Sequence, residues 1–351
     1  MVNIFSYNKP FELESGITLP KLHLAYSLYG ELNEEKDNVT WIFHALTANS
    51  EAADWWPGLV GEGKLFDPGS SCIICVNMPG SCYGSIGPLD TNPETGKPYY
   101  HSFPFFTTRD MIRCYQLLKD WLGITRIRVG IGGSMGGQQL LEWAIAEPEL
   151  FEHIVPLATN ALHSPWAVAF NASQRLAIQN DITWKQNNDA AGLDGMKVAR
   201  SIALLSYRNY GTYQAQQEET PDKIDGFKSE SYQQYQGEKL ARRFNAFSYY
   251  FLSKSMDAHH VGRNRGGAVA ALRQIKANTL VISISSDLLF PPAEQVFLAE
   301  HITGAAYRSV SSAYGHDGFL LEFESITAAI RAFLAIAEIK DLTTATNNGN
   351  T

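Results

Sequence analysis

The segment Gly132-x-Ser134-x-Gly136 has the residue types and spacing of a nucleophile elbow, a serine on a tight turn whose small neighbours let the backbone bend without a Cβ collision. A serine hydroxyl is a weak nucleophile at neutral pH. It needs a base to take its proton and an acid to orient that base. The chain order Ser, Asp, His points to Asp287 and His316. Asp287 directly follows the apolar run TLVISISS, and His316 lies 29 residues further on in Tyr314-Gly315-His316-Asp317-Gly318. That interval leaves room for one helix and one strand between acid and base. The chemistry these types support is nucleophilic catalysis by an activated serine. Two backbone N–H groups must then hold the oxyanion. Met135, just after the serine, supplies one, and Leu46, in the loop His44-Ala45-Leu46-Thr47 after the apolar run VTWIF, supplies the other.

Each residue also has a plainer role open to it. The glycine-rich segment fits an ordinary turn between strand and helix, Asp287 could cap the helix expected near Pro292, and His316 could bond a loop carbonyl. Two other clusters carry weaker chemistry. Cys72 and Cys75 form a C-x-x-C, but Ile73, Ile74 and Val76 make the segment a buried strand, in which positions three apart face opposite sides. Structural thiols are expected there. His259-His260 lacks further ligands at zinc spacing and reads as structural, so no metal is expected.

The elements that must position the serine are legible around it. The strand RIRVGI leads into the elbow, and the helix QQLLEWAIAEPE leaves it and ends before Pro148. Strand, glycine turn and helix make an α/β crossover unit. Further strands are expected at Leu22 to Leu28, Val39 to Phe43, Cys72 to Asn77, His153 to Leu157, Thr279 to Ile284 and Ala306 to Val310. Their continuous apolar character predicts a sheet covered on both faces. A helix opening at Thr107, with Asp110 three residues on, places Ile112, Tyr115, Leu118 and Leu122 on one stripe and stops at Gly123. Between residues 160 and 262 the texture turns Gln- and Tyr-rich with no β-run, which predicts a helical cap inserted into a core made of 1–159 and 263–340. The tail at 341–351, DLTTATNNGNT, is expected to fray.

Composition bounds the function class. Hydrophobic residues at 45% and charged residues at 18% exclude wholesale disorder. A formal charge of −8 and the lack of any long basic block argue against nucleic acid as a partner. No apolar run reaches membrane-spanning length and the N-terminal segment is too polar for a secretory signal, so a soluble, cytoplasmic protein is expected. Four cysteines are too few for a disulfide scaffold.

Taken together, HALT at His44, DWWPGLVGEGKLFD at Asp54, CYGSIGP at Cys82, FPFFTTRDMIRCYQLLKDWLGI at Phe103, GGSMGG at Gly132, LSYRNY at Leu205, ESYQQYQGEK at Glu230, MDAHHVGRNRGG at Met256, SDLLFPPAEQ at Ser286 and YGHDGFL at Tyr314 resemble the homoserine O-acyltransferase family of methionine biosynthesis, in one order over nearly the whole chain. The resemblance implies an α/β-hydrolase fold, mostly parallel sheet with helices on both faces. It implies an O-acyltransferase of the homoserine O-acetyltransferase type, with Ser134, Asp287 and His316 as triad. No cofactor is implied; acetyl-CoA or another acyl-CoA is co-substrate and L-homoserine the acceptor. It further implies Arg208 for the acceptor's carboxylate, Asp317 for its amine, and a homodimer. A guanidinium grips a carboxylate with two parallel bonds, and a carboxylate suits an ammonium. Arg263 and Arg265 could meet CoA phosphates, although a structural loop role is the stronger expectation. Ala48 in HALTANS, the variant NMPGSCYGS and the short polar stretch from Asp181 to Gly192 depart from the family pattern. They leave open acetyl or succinyl as the acyl group and homoserine or serine as acceptor. The alternatives are a serine esterase or thioesterase with the same triad, and a binding protein that kept the scaffold.

Overall fold

The computed structural model describes residues 2–348, with side chains up to Ala337. Eight strands form one sheet: β1 (Val2–Tyr7), β2 (Leu22–Tyr29), β3 (Val39–Phe43), β4 (Cys72–Val76), β5 (Ile127–Gly133), β6 (Phe151–Leu157), β7 (Asn278–Ile284) and β8 (Ala306–Val310). They lie in the order β1-β2-β4-β3-β5-β6-β7-β8. Strand β2 is antiparallel to both its neighbours, and every pairing from β4 to β8 is parallel. The seven expected strands are all present. Strand β1 escapes the sequence because VNIFSY buries only Phe5 and pairs along one edge.

Strand β3 shows why the sheet is covered twice. All five of its residues are buried, Val39, Trp41 and Phe43 in one apolar cluster and Ile42 in the other. Trp41 meets Trp143 edge-on at 4.9 Å on the first face, while Ile42 joins Trp56 and Phe319 on the second. Burying such a side chain stabilises by about 1.5–3 kcal/mol. Strand β4 splits likewise: Cys72 belongs to the first cluster and Cys75 to the second. Both thiols are free and buried, and burial raises Cys72 to about 11. Two cysteines on opposite faces of a sheet cannot act as a redox pair.

Helix α1 (Thr108–Leu122) starts and stops as expected: Thr107 and Asp110 exchange side-chain and backbone bonds in a capping box, and Gly123 ends the helix at φ 72°. Helix α2 (Met135–Ala146) follows the elbow. Between β6 and β7 the chain is helical, with α3 (Pro165–Gln179), α4 (Leu193–Tyr207), α5 (Tyr210–Gln217), α6 (Lys228–Ala241) and α7 (Ala246–Asp257). Helix α8 (Pro292–His301) follows β7, and α9 (Phe323–Asn348) closes the chain. The tail expected to fray from Asp341 therefore begins inside a helix, because neither glycine nor proline interrupts the chain from Phe323 until Gly349. The rest of that expected tail, 349–351, lies outside the described residues.

Candidate active site

The carboxyl ends of β3, β5, β6 and β7 lie side by side, Phe43 opposite Gly132, Leu157 opposite Gly133 and Ile282 opposite Leu157. Ser134 follows β5 directly at φ 57° and ψ −127°, a conformation L side chains rarely adopt. Two glycines permit it. A Cβ at Gly132 would stand 2.6 Å from the backbone of Gly136, and one at Gly136 would stand 2.1 Å from the carbonyl oxygen of Phe43. The spacing is thus a demand of packing between elbow and strand.

Asp287 sits in the turn after β7. Its Oδ1 accepts from the N–H groups of Leu289 at 2.8 Å and Phe290 at 2.9 Å, while Oδ2 lies 2.6 Å from His316 Nδ1. It does not cap α8, whose N-terminus starts at Pro291 without a side-chain bond. Accepting two backbone donors orients the carboxylate, and the carboxylate in turn fixes the imidazole with Nδ1–H toward Asp287 and Nε2 free. The His316 ring is 3% exposed, stacked on Phe290 at 5.1 Å and tilted against Phe319 and Tyr207. Ser134 and His316 line one cavity of about 310 Å³; among the described residues no hydrogen bond joins them.

Leu46 lines the same cavity, and Met135 is the first residue of α2. Neither N–H donates a hydrogen bond among the described residues, so both remain available to an oxyanion. The loop carrying Leu46 is pinned by His44, whose Nδ1 donates to Ala45 O at 2.9 Å while its Nε2 accepts from the Met78 N–H at 3.0 Å. Burial pushes His44 down to about 4 and keeps it neutral, the form this pair of bonds requires.

Asp317 also lines the cavity. Its carboxyl is raised by burial, a rise opposed by the guanidinium groups of Arg208 and Arg200. Arg208 lies behind it, outside the cavity wall. Its Nε is 3.1 Å from Asp317 Oδ2, within ion-pair range but without the direction of a hydrogen bond. The guanidiniums that do line the cavity are Arg200, on α4, and Arg243, between α6 and α7. Arg200 lies over the Tyr207 ring at 5.3 Å. The sequence offers no local signal for either, since their place depends on how the helices after β6 pack.

The other candidates are occupied elsewhere. His259 is buried between Thr108 Oγ1 at 3.2 Å and Asn160 O at 3.1 Å, and burial lowers it to about 3. Arg263 grips Glu14 and the Ala258 carbonyl, and Arg265 pairs with Glu142 at 2.7 Å, so both hold structure. Among the described residues no cluster of His, Cys, Asp and Glu could hold a metal, and no helix is long and apolar enough to cross a membrane.

The family model for the alpha/beta hydrolase fold matches residues 41–323. A homoserine O-acetyltransferase of Cyclobacterium marinum is 46% identical over 94% of each chain. The chain belongs to the homoserine O-acetyltransferase family. A crystal structure of homoserine O-acetyltransferase from Staphylococcus aureus superposes with a TM-score of 0.79 at 27% identity, over 95% of each chain. An acetylester hydrolase from Corynebacterium glutamicum shares the fold at 23% identity, with a TM-score of 0.84 over 96% of each chain.

Proposed function

We propose that this enzyme transfers an acetyl group from acetyl-CoA to the γ-hydroxyl of L-homoserine, a step of methionine biosynthesis, through an acyl-Ser134 intermediate. Ser134 Oγ attacks the thioester carbonyl as its proton passes to His316 Nε2, and Asp287 holds the imidazole in the required tautomer. The N–H groups of Leu46 and Met135 take the oxyanion. The tetrahedral intermediate collapses and CoA leaves as the thiol with that proton. His316 then removes the proton of the homoserine hydroxyl, which attacks the acyl-serine; the second tetrahedral intermediate collapses, the ester leaves, and His316 returns that proton to Ser134 Oγ. No metal or bound cofactor takes part.

The observation that carries this reading is the 2.6 Å contact of His316 with Asp287 on the wall it shares with Ser134. A cavity of about 310 Å³ suits an acyl group with a small acceptor, and leaves the CoA nucleotide outside. Asp317 takes the acceptor's ammonium, and Arg208, behind Asp317 and outside the wall, acts on the acceptor only through that carboxyl. The helical segment 160–262 acts as a lid over a core of 1–159 and 263–340, and its exposed apolar side chains such as Val198, Leu205 and Tyr235 suit a homodimer. Free thiols and a CoA thioester both suit the cytoplasm.

Mass spectrometry of the protein mixed with acetyl-CoA is expected to find an acetyl group on Ser134 that L-homoserine discharges. CoA release that is fast and indifferent to homoserine would identify an esterase or thioesterase instead. Discharge by serine, or a preference for succinyl-CoA, would revise the substrates and keep the mechanism.

A further inference from the structure

The helical segment between β6 and β7 reaches the loop of Leu46 through one guanidinium. Arg243 uses Nη1 to donate to the carbonyl of Thr47 and to the hydroxyl of Tyr83, both at 2.5 Å. The Cys82 thiol lies 3.5 Å from the Arg243 carbonyl, in a donor position, so the turn between α6 and α7 is tied back to the loop after β4. No carboxylate pairs with Arg243 among the described residues, and its side chain lines the cavity with Leu46 and Ser134. A charged donor on a neutral carbonyl makes a stronger bond than a neutral donor would.

That bond falls at a decisive place. Residues 45–48 form a turn closed by the Ala48 N–H on the Ala45 carbonyl at 3.0 Å, and His44 Nδ1 donates to the same carbonyl. The peptide plane between Thr47 and Ala48 is therefore held at both ends, by Ala45 at its N–H and by Arg243 at its C=O. Leu46 sits inside this turn with its own N–H uncommitted. Oxyanion donors work because their direction is set before the charge develops, and a donor free to rotate loses much of its effect.

We infer that Arg243 is a positioning residue for the oxyanion hole: its grip on the Thr47 carbonyl aims the Leu46 N–H, and makes that aim depend on the seating of the α6–α7 turn. The inference rests on the acyl-Ser134 reading. His44 holds the loop from the sheet side, and Arg243 holds it from the helical side. The guanidinium also places a positive charge on the cavity wall, which Asp54 and Asp317 line as well. Arg243→Lys keeps that charge but lacks the planar fork, and so separates the two contributions.

The experiment measures the rate of acylation by p-nitrophenyl acetate per active serine, counted from the burst, for wild type, Arg243→Met, Arg243→Lys and Tyr83→Phe. It is paired with the affinity of a boronic acid that forms a tetrahedral adduct on Ser134. Arg243→Met is expected to acylate about 10- to 100-fold more slowly and to weaken the boronic acid by a similar factor. Lys should fall between Met and wild type, and Tyr83→Phe should lose only a few-fold. A role confined to folding would lower the burst amplitude and the melting temperature while leaving the rate per serine and the boronic acid affinity unchanged, which overturns the inference. Acylation unchanged in Arg243→Met overturns the role of Arg243 alone. A wild-type enzyme that forms no acyl-serine overturns the proposed function.

Discussion

Two polar clusters cross the interior of this protein, and they are built on opposite plans. In the first, Glu142, with a side chain 2% exposed, receives Arg109 at 2.8 Å and Arg265 at 2.7 Å. Glu14 takes Arg109 and Arg263, and the spare N–H groups of these arginines run to the carbonyls of Arg263, Ala258 and Val261. In the second, Asp287 is saturated, but the chain of bonds stops at His316 Nε2, at Ser134 and at the N–H groups of Leu46 and Met135. A cluster whose donors all have acceptors holds segments together. One that ends on uncommitted groups facing a cavity is equipped to act on something that enters it.

Substitution should separate the two plans cleanly. Ser134→Ala is expected to lower acetyl transfer to homoserine by at least about 10⁴-fold with the fold intact, measured by CoA release, since the nucleophile has no substitute. Activity retained in that variant would remove Ser134 as the nucleophile. Asp287→Asn should cost about 10⁴ in kcat, because an amide at that place favours the wrong imidazole tautomer, and it should leave the melting temperature far less affected than the rate. The contrary pattern is expected in the closed cluster. Glu142→Gln leaves the half-buried guanidinium of Arg265 without its carboxylate, while Arg109 keeps Glu14, and should destabilise by about 1.5–3 kcal/mol in urea unfolding, while kcat per folded molecule stays the same. A loss of kcat without loss of stability there would erase the distinction.

The smallest expected effect concerns pH. His44, His163 and His259 are held by burial at about 4, 4 and 3, below the ordinary 6.5. A folded-state value below the unfolded one means that the unfolded chain binds more protons between them, so stability is complete above about 6.5 and is lost as the pH falls toward 4. Each histidine contributes a slope of up to about 1.4 kcal/mol per pH unit in that window. His259→Gln should reduce the slope by the share of one proton, read from urea unfolding at a series of pH values. An unchanged slope would show that His259 is not buried as a neutral group.

The two plans were not equally legible in the sequence. The elbow could be found because its backbone demands glycines at fixed offsets, and α1 because Thr107, Asp110 and Gly123 are local signals that act within a single turn. Asp287 and His316 followed from chain order and from the strands before them. Arg200 and Arg243 could not be found, since no local pattern says that two arginines 43 positions apart will converge on one cavity. Arg208 shows the same limit from the other side: its type suits a substrate carboxylate, yet its Nε turns to Asp317. The closed cluster depends on Glu14 meeting Arg263, a partnership fixed by the tertiary fold alone.

The space left at Gly136, where a single methyl group would run into the end of β3, also sets the limits of change in this enzyme. On the helices after β6, exposed positions such as Val198 and Leu205 can change by small steps, each tolerated in part. At that joint there is no half-measure: the parts fit or they jam. Diversity should therefore accumulate at the roof of the chamber while its floor stays fixed.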